Sequence, residues 1–365
     1  QPFTLSQGFP VEQIPKVADP LALFAAATPD RPLAVSSVTY NAGDRLPYSL
    51  QWNLGVQHEV GFDTVVDLAY VGSRGVNLAR TISVNQPNLD RAPEVVIQRR
   101  PVQQVRPFPK LSAASAVFYD ATSIYHSLQV KATRRFSAGF SLDANYTFSK
   151  HIDTLDDSGS YQIPWQFPRI ERAISNIDRP HVFVLGVVYE LPFGKGKRLF
   201  SANRLASSLL GGFQFNGFLN ASSALPFSIT QRNTNLILQA QRPDVVDPKN
   251  LSGRVAEPVF AGPARRWLIE PGNPAFPFRP SSNLGFGNLG RNTSRGPGLW
   301  NTNLSLFREF AVTERVRLEL RVEAYNALNN VTFLAPASSI DSATYGLSTA
   351  AAPARQMQVG ARISF

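Results

Sequence analysis

Cysteine is absent from the 365 residues, and only 17% of them are charged. The missing thiols exclude a disulfide framework, a thiolate zinc site and a cysteine nucleophile. The low charge, with 24 Gly and 28 Pro, excludes a coiled coil or a long helical bundle. No apolar run approaches the roughly 18 residues that a membrane-spanning helix needs. Basic residues exceed acidic ones by 36 to 26, and this net charge of +10 suits nucleic acid, anionic lipid or an acidic glycan as partner.

Alternation of apolar and polar residues is the main signal in the chain. It runs through residues 50–60, with His58 as the exception, and through 124–133 and 140–149 on either side of a turn. Period two predicts strands with one apolar face. About nine such segments occur. Most have roughly 9–12 residues, which exceeds the 5–6 usual in soluble strands and matches strands tilted across a bilayer.

The connections between these segments alternate between short and long. Short ones are predicted at residues 61–63, 137–139 and 311–314, with a medium one at 192–210. Long ones are predicted at residues 73–122, 151–180, 225–298 and 329–354. Short periplasmic turns and long external loops are typical of a bacterial outer-membrane barrel.

Aromatic residues gather near both ends of the predicted strands, with aliphatic residues between them. Two such girdles are typical of the two interfaces of a membrane. The predicted girdle residues are Trp52, Tyr70, Tyr146, Phe148, Tyr189, Trp300 and Phe310.

These signals predict an all-β fold, an antiparallel transmembrane β-barrel with long extracellular loops. Residues 1–47 are expected to form an extracellular segment before the first clear strand, and residues 48–365 the barrel wall. Alternation alone also fits a soluble sandwich or propeller, in which the apolar face points to a core. Strand length, loop asymmetry and the girdles favour the barrel.

Four charged residues share one face of the predicted strand at residues 316–324. In lipid an Arg costs about 2–4 kcal/mol at the midplane, so this face is predicted to be the lumen. The favoured interpretation is a cross-strand salt-bridge ladder, and the alternative is a contact with substrate or a plug. The four residues are Arg317, Glu319, Arg321 and Glu323.

Catalytic and cofactor motifs are absent: there is no GxSxG elbow, Walker A loop, HExxH or EF-hand loop. The sequence therefore predicts neither an enzyme nor a cofactor. An acidic segment with Asp153, Asp156 and Asp157 is interpreted as a solvated loop, with calcium binding as the alternative.

Arginine clusters in the long loops account for much of the positive charge. No nucleic-acid-binding module accompanies them, so nucleic acid is not predicted as a partner. Guanidinium groups suit the phosphates of lipopolysaccharide or an unknown ligand, and solubility of the loops is the plain alternative. The candidate residues are Arg265, Arg266, Arg279, Arg291 and Arg295.

Seven short stretches carry a further signal: PYSLQWNL at 47–54, AYVGSRG at 69–75, YHSLQV at 125–130, YTFSK at 146–150, DRPH at 178–181, YELPFGKG at 189–196 and GNLGRN at 287–292. Together they resemble the C-terminal barrel of TonB-dependent outer-membrane receptors of the Oar-like group, which carry a carboxypeptidase-regulatory-like domain before the plug. The resemblance runs from about residue 47 to the C-terminus.

The resemblance implies a 22-strand barrel, a plug domain and energy coupling through TonB. The C-terminal Phe365, with Val359, Ala361 and Ile363 before it, looks like the signal that the barrel-assembly machinery reads. With about nine or ten strands and no candidate plug, the chain is expected to be a fragment that lacks the N-terminal half.

The leading hypothesis is therefore a transporter, in which the wall forms a conduit in contact with outer-membrane lipid and the loops recognise a ligand. One alternative is a structural or adhesive outer-membrane protein that transports nothing. The other is a secreted, soluble β-rich binding module.

Overall fold

The computed structural model describes residues 26–33, 38–39, 46–154, 171–194, 196–197, 199, 211–237, 240–313 and 315–365. Within them, nine long strands form one antiparallel sheet, and each strand pairs with the next in the chain. This up-and-down order confirms the predicted antiparallel β fold. The strands are β1 Tyr48–Gly61, β2 Thr64–Ser83, β3 Ser115–Ser137, β4 Phe140–Asp153, β5 His181–Glu190, β6 Phe213–Ser222, β7 Leu299–Ala311, β8 Arg317–Tyr325 and β9 Gln356–Ser364.

Tight turns join the strands at one end of the sheet. Phe62 and Asp63 link β1 to β2, and Ala138 and Gly139 link β3 to β4, all four with positive φ. Two consecutive positive φ values define the hairpin turn whose twist matches that of the flanking strands. The four longest connections, 84–114, 154–180, 223–298 and 326–355, leave from the opposite end, whereas the medium connection 191–212 leaves from the same end as the tight turns. The predicted asymmetry of the sheet is therefore present.

The predicted loop at residues 73–122 is too long. β2 runs to Ser83 and β3 begins at Ser115, so about ten residues on each side continue the hairpin. Two register shifts near Leu78 break the alternation there, which hides the strands from a period-two search. The buried Arg80 guanidinium and the Asp120 carboxylate, 2.5 Å apart, hold this extension together.

Short helical turns and short strands occur in the loops and at the end of the sheet with the long connections. Helical turns occur at Leu89–Arg91, Ala92–Val96, Val102–Val105 and Pro248–Asn250. The short strand Val38–Thr39 pairs with β3, and Ala173–Ile174 pairs with β4. Other short strands pair within the loops: Pro226–Phe227 with Ser294–Arg295, Asp244–Val245 with Phe278–Arg279, and Ala264–Leu268 with both Arg254–Ala261 and Leu347–Ser348.

The main apolar core of the described residues lies in the loops and not in the sheet. Residues 225–298 and 330–354 fold together, and we call them the loop unit. Its buried core consists of Ile229, Leu268, Phe278, Leu289, Ile340 and Tyr345. Across the described side chains of the nine strands, by contrast, no apolar residue larger than alanine is buried. The sheet therefore has no interior of its own, and its apolar face needs an apolar surrounding.

A second, smaller core forms where the connection between β2 and β3 meets the loop unit. Ile237 of the loop unit packs among Ala92, Val95 and Val105. Asn85, fully buried, donates its side-chain amide to the carbonyls of residues 108, 111 and 112 at 2.8–3.0 Å. These bonds fix the connection as an ordered loop.

Tyr345 makes the loop unit sensitive to alkali. Its phenol is 2% exposed, its oxygen has no hydrogen-bond partner among the described residues, and burial raises its pKa. The ordinary pKa of a tyrosine phenol is about 10. Below that pH the neutral buried phenol contributes its full stability to the fold, and this contribution is lost as the pH rises above about 10.

We expect Tyr345→Phe to remove part of this alkaline loss while leaving stability at pH 8 nearly unchanged. Limited proteolysis of the loop unit between pH 8 and pH 11 measures it. The exposed Tyr325, changed to Phe, is the matched control. An alkaline midpoint that is the same in wild type and Y345F would contradict the assignment.

Candidate functional site

The strand register separates the sheet into two chemically different faces. One row across six strands reads Phe140, Tyr189, Phe215, Leu306, Val322 and Val359. The adjacent rows on the other face carry residues such as Asp143, Asn216 and Ser305. Because partners across a ladder point to the same side, the two sets continue from strand to strand as an apolar face and a polar face.

The predicted girdle residues all lie on the apolar face. Five of them lie toward the end with the long connections and are 37–50% exposed: Trp52, Tyr70, Tyr146, Phe148 and Trp300. Tyr189 and Phe310 lie toward the end with the short turns. The apolar face thus has aromatic residues at both ends and aliphatic residues between.

The four charged residues of β8 lie on the polar face. Arg317 pairs with Glu309 of β7 at 2.9 Å, and Glu323 accepts a hydrogen bond from Gln358 of β9. Arg321 lies across Gly360, where a Cβ would come within 2.9 Å of its Nε. Glu319 stands opposite Glu309. These contacts run between neighbouring strands, and among the described residues only Arg317 of the four is in an ion pair.

A cavity of about 560 Å³ opens on the polar face at the end with the long connections. The segment 177–179 forms part of its lining. The Asp178 carboxylate accepts a hydrogen bond from the His151 backbone N–H at 2.6 Å, and Arg179 donates to the Ser222 hydroxyl at 2.6 Å. The remaining lining is rich in hydroxyl groups: Ser73, Ser123, Tyr125, Thr147 and Ser149.

Three arginines of the loop unit bind carboxylates next to this cavity. Arg242 pairs with Glu171 at 2.8 Å, and both side chains are 1% exposed. Arg291 binds Asp153 and also the backbone carbonyl of residue 171. All three arginines lie in residues 225–298, and all three carboxylates lie at or beyond the end of β4. The third pair joins Arg295 to Asp178.

The loop unit is therefore fastened to the end of β4 and to the segment that follows it by buried ion pairs. The predicted roles of Arg291 and Arg295 as anion ligands on the outside do not fit this position, because Arg291 is 2% exposed and both bind carboxylates of the same chain. Sequence reasoning also missed Arg242 and Glu171, which carry no local motif. Asp178 and Arg179 belong to the DRPH stretch, which was the one signal available for them.

The other three candidate arginines lie nearer the surface. Arg265 stacks on Phe260, Trp267 and Phe333 at 5.3–5.8 Å. Arg266 pairs with Glu270 at 3.0 Å. Arg279 has a 71% exposed side chain and lies 3.6 Å from Asp244. Of the five predicted residues, Arg279 is the most accessible to an external anion.

A metal site is not found among the described residues, which contain no group of three potential His or carboxylate ligands. Asp156 and Asp157 of the predicted acidic loop lie outside the described ranges. No helix in the described part of the chain is long and apolar enough to cross a bilayer.

An antiparallel meander without an interior, with aromatic ends on its apolar face and its four longest connections at one end, defines the wall of a membrane β-barrel. The chain belongs to the outer membrane beta barrel domain family, whose model matches residues 1–358. It is thus an outer-membrane protein, and the alternative of a secreted soluble module is wrong. Arg317, Glu319, Arg321 and Glu323 lie together on the polar face of this wall.

Solved outer-membrane structures show only a distant likeness. The transporter YddB from Escherichia coli is 9% identical with a TM-score of 0.46, and the match covers 90% of this chain and 34% of that one. BauA, the ferric preacinetobactin receptor from Acinetobacter baumannii, is 11% identical with a TM-score of 0.42, and the match covers 87% and 29%. The chain thus spans about a third of the length of these proteins. No curated protein matches it.

Proposed function

We propose that the chain forms part of the conduit wall and the ligand-recognition loops of a TonB-dependent outer-membrane transporter. The observation that carries the proposal is the cavity on the polar face, lined in part by residues 177–179, because it puts a polar recess where a conduit would open to the outside. The resemblance to the Oar-like group supports the same function. In this proposal TonB acts through a plug domain of the same gene product.

The chemistry of the cavity indicates a polar ligand. Hydroxyl groups, one imidazole, the Asp178 carboxylate and the Arg179 guanidinium offer both donors and acceptors, and Val182 and Ile177 supply a small apolar surface. Such a lining orients a ligand by hydrogen bonds without performing covalent chemistry on it. We therefore propose a binding and transport role without catalysis and without a cofactor.

The other proposed partners act at the edges of the wall. β9 carries Val359, Ala361, Ile363 and, just after it, Phe365, and this strand is the edge at which we propose recognition by the barrel-assembly machinery. Arg279 is the loop residue that we propose to meet lipopolysaccharide phosphates. We propose no contact with nucleic acid.

TonB coupling is tested with the whole gene product, purified in detergent. We expect it to retain the periplasmic part of TonB on an affinity column, and we expect uptake into cells to stop when TonB is deleted. Absence of TonB binding would overturn the transporter proposal and favour adhesion.

Adhesion, the second candidate function, is supported by apolar side chains on the outside of the loop unit, of which Phe260 is 71% and Val259 is 54% exposed.

The conduit face can be tested with single cysteines, because the natural chain has none. Asn145 lies on the polar face and its neighbour Ala144 on the apolar face. In lipid bilayers we expect a membrane-impermeant maleimide to label Asn145→Cys, because the thiolate forms in water. Ala144→Cys should be labelled only after denaturation. Equal labelling of both in lipid would contradict the assignment of the faces.

A further inference from the structure

Acidic residues are distributed unequally between the two faces of the sheet. Wherever the nine strands pair in register, every carboxylate lies on the polar face: Glu59, Asp67, Asp143, Asp153, Glu190, Glu309, Glu319 and Glu323. Asp120 of β3 lies beyond the register shift and pairs with Arg80. The charged and imidazole side chains on the apolar face, by contrast, are all Arg, Lys or His. They form two sets, one at each end of that face.

The set at the outer end is compact, and we call it the outer cluster: Arg74, His126, Lys150 and His181. Lys150 of β4 is directly opposite His126 of β3, and Arg74 of β2 lies one row further out. Adjacent strands are about 4.8 Å apart, so the four groups span only four neighbouring strands. Arg74, Lys150 and His181 are exposed, and neither Arg74 nor Lys150 forms an ion pair with a described residue.

Aromatic side chains hold the imidazoles of the outer cluster in place. The Tyr70 hydroxyl is 2.7 Å from Nδ1 of His126, and the Tyr146 hydroxyl is 2.8 Å from Nδ1 of His181. Trp52 lies flat over Gly72, where any Cβ would overlap its indole, and its ring centre is 5.9 Å from that of His126. The cluster is therefore a positive patch with an apolar floor.

We propose that the outer cluster binds the phosphate group of a lipid in the external leaflet. Charge complementarity is the argument: a face that excludes carboxylates and places Arg74 and Lys150 at headgroup height attracts a phosphate, while the aromatic floor accepts acyl chains. This site is on the outer wall and does not depend on the transport proposal or on the loop arginines. A bound lipid would form a fixed contact between β2, β3, β4 and β5.

The test compares two double variants of the whole protein in detergent micelles. Arg74→Gln with Lys150→Gln removes two cations from the outer cluster. Arg134→Gln with Arg308→Gln removes two cations from the opposite end of the same face, where they stack on Phe140, Phe213 and Phe310. The probes are a bisphosphorylated diglucosamine lipid, its dephosphorylated form and inorganic phosphate, with binding read by native mass spectrometry.

We call the Arg74→Gln, Lys150→Gln protein the outer variant and the Arg134→Gln, Arg308→Gln protein the inner variant. We expect the bisphosphorylated lipid to bind wild type and the inner variant alike, and to bind the outer variant about thirtyfold more weakly. The dephosphorylated lipid and inorganic phosphate should not bind measurably. A heat-modifiable gel shift checks that each variant is folded. Equal lipid binding by both double variants would overturn the proposal. Self-association that only the outer variant abolishes would also overturn it, because a second copy of the chain would then occupy the outer cluster.

Discussion

Glu171→Ala is expected to detach the loop unit from the sheet at a cost of about 3–5 kcal/mol. The change removes the carboxylate that accepts hydrogen bonds from the Arg242 guanidinium, itself 1% exposed, and breaking a buried ion pair by removing one partner is strongly destabilising. The measurement is the urea midpoint for proteolysis of the loop unit, with the heat-modifiable gel shift as an independent readout of the sheet. We expect the urea midpoint for proteolysis to fall and the heat-modifiable gel shift to remain.

The matched control for this prediction is Glu270→Ala. Glu270 also pairs with an arginine of the loop unit, at 3.0 Å, but its side chain is 54% exposed, so its loss should cost less than about 1 kcal/mol. A double variant, Glu171→Leu with Arg242→Met, should recover much of the lost stability because the charge is removed with its partner. Equal effects of Glu171→Ala and Glu270→Ala would refute the fastening role of the buried pair.

Leu185→Arg should destabilise the wall by about 2–4 kcal/mol. Leu185 is central in β5 and is opposite Ala144 and Leu219 on the apolar face, so the new guanidinium would enter the hydrocarbon near its midplane. Unfolding by guanidinium chloride in lipid vesicles measures the loss.

The control is the preceding residue. Val184→Arg makes a similar change of side chain on the polar face, where its neighbours across the ladders are Asn145 and Asn220. We expect that variant to lie within about 1 kcal/mol of wild type, since an arginine there meets water and amides. If Val184→Arg proved the more damaging of the two, the polar face and not the apolar face would be the one against lipid.

Much of the wall could be predicted from sequence because a strand records its two faces in alternate residues. In β1, Leu50, Trp52 and Leu54 alternate with Gln51 and Asn53, and this pattern can be read without any knowledge of the partner strands. The signal fails at register shifts. β2 and β3 continue past Leu78, but the register shifts there interrupt the alternation of apolar and polar residues. A period-two pattern therefore predicts a loop where the two strands continue.

The loop unit and its ion pairs could not be predicted in the same way. Arg242 and Glu171 are 71 residues apart, and their meeting depends on how the segment after β4 and the segment after β6 fold against each other. A cluster of arginines in a loop looks the same in sequence whether it faces water or a buried carboxylate. Local pattern therefore locates Arg291 and Arg279 equally well and cannot tell that the first is buried and the second exposed.

The placement of the main apolar core in the loop unit means that this protein depends on two solvents at once. Urea and heat act on the core around Leu268 and Tyr345 as they do on a water-soluble domain, whereas detergent chain length and lipid thickness act on the nine strands. The two parts should therefore melt in separate transitions, and a single melting temperature would describe neither. Substitutions in the loop unit are likewise free of the constraint that hydrocarbon imposes on the nine strands.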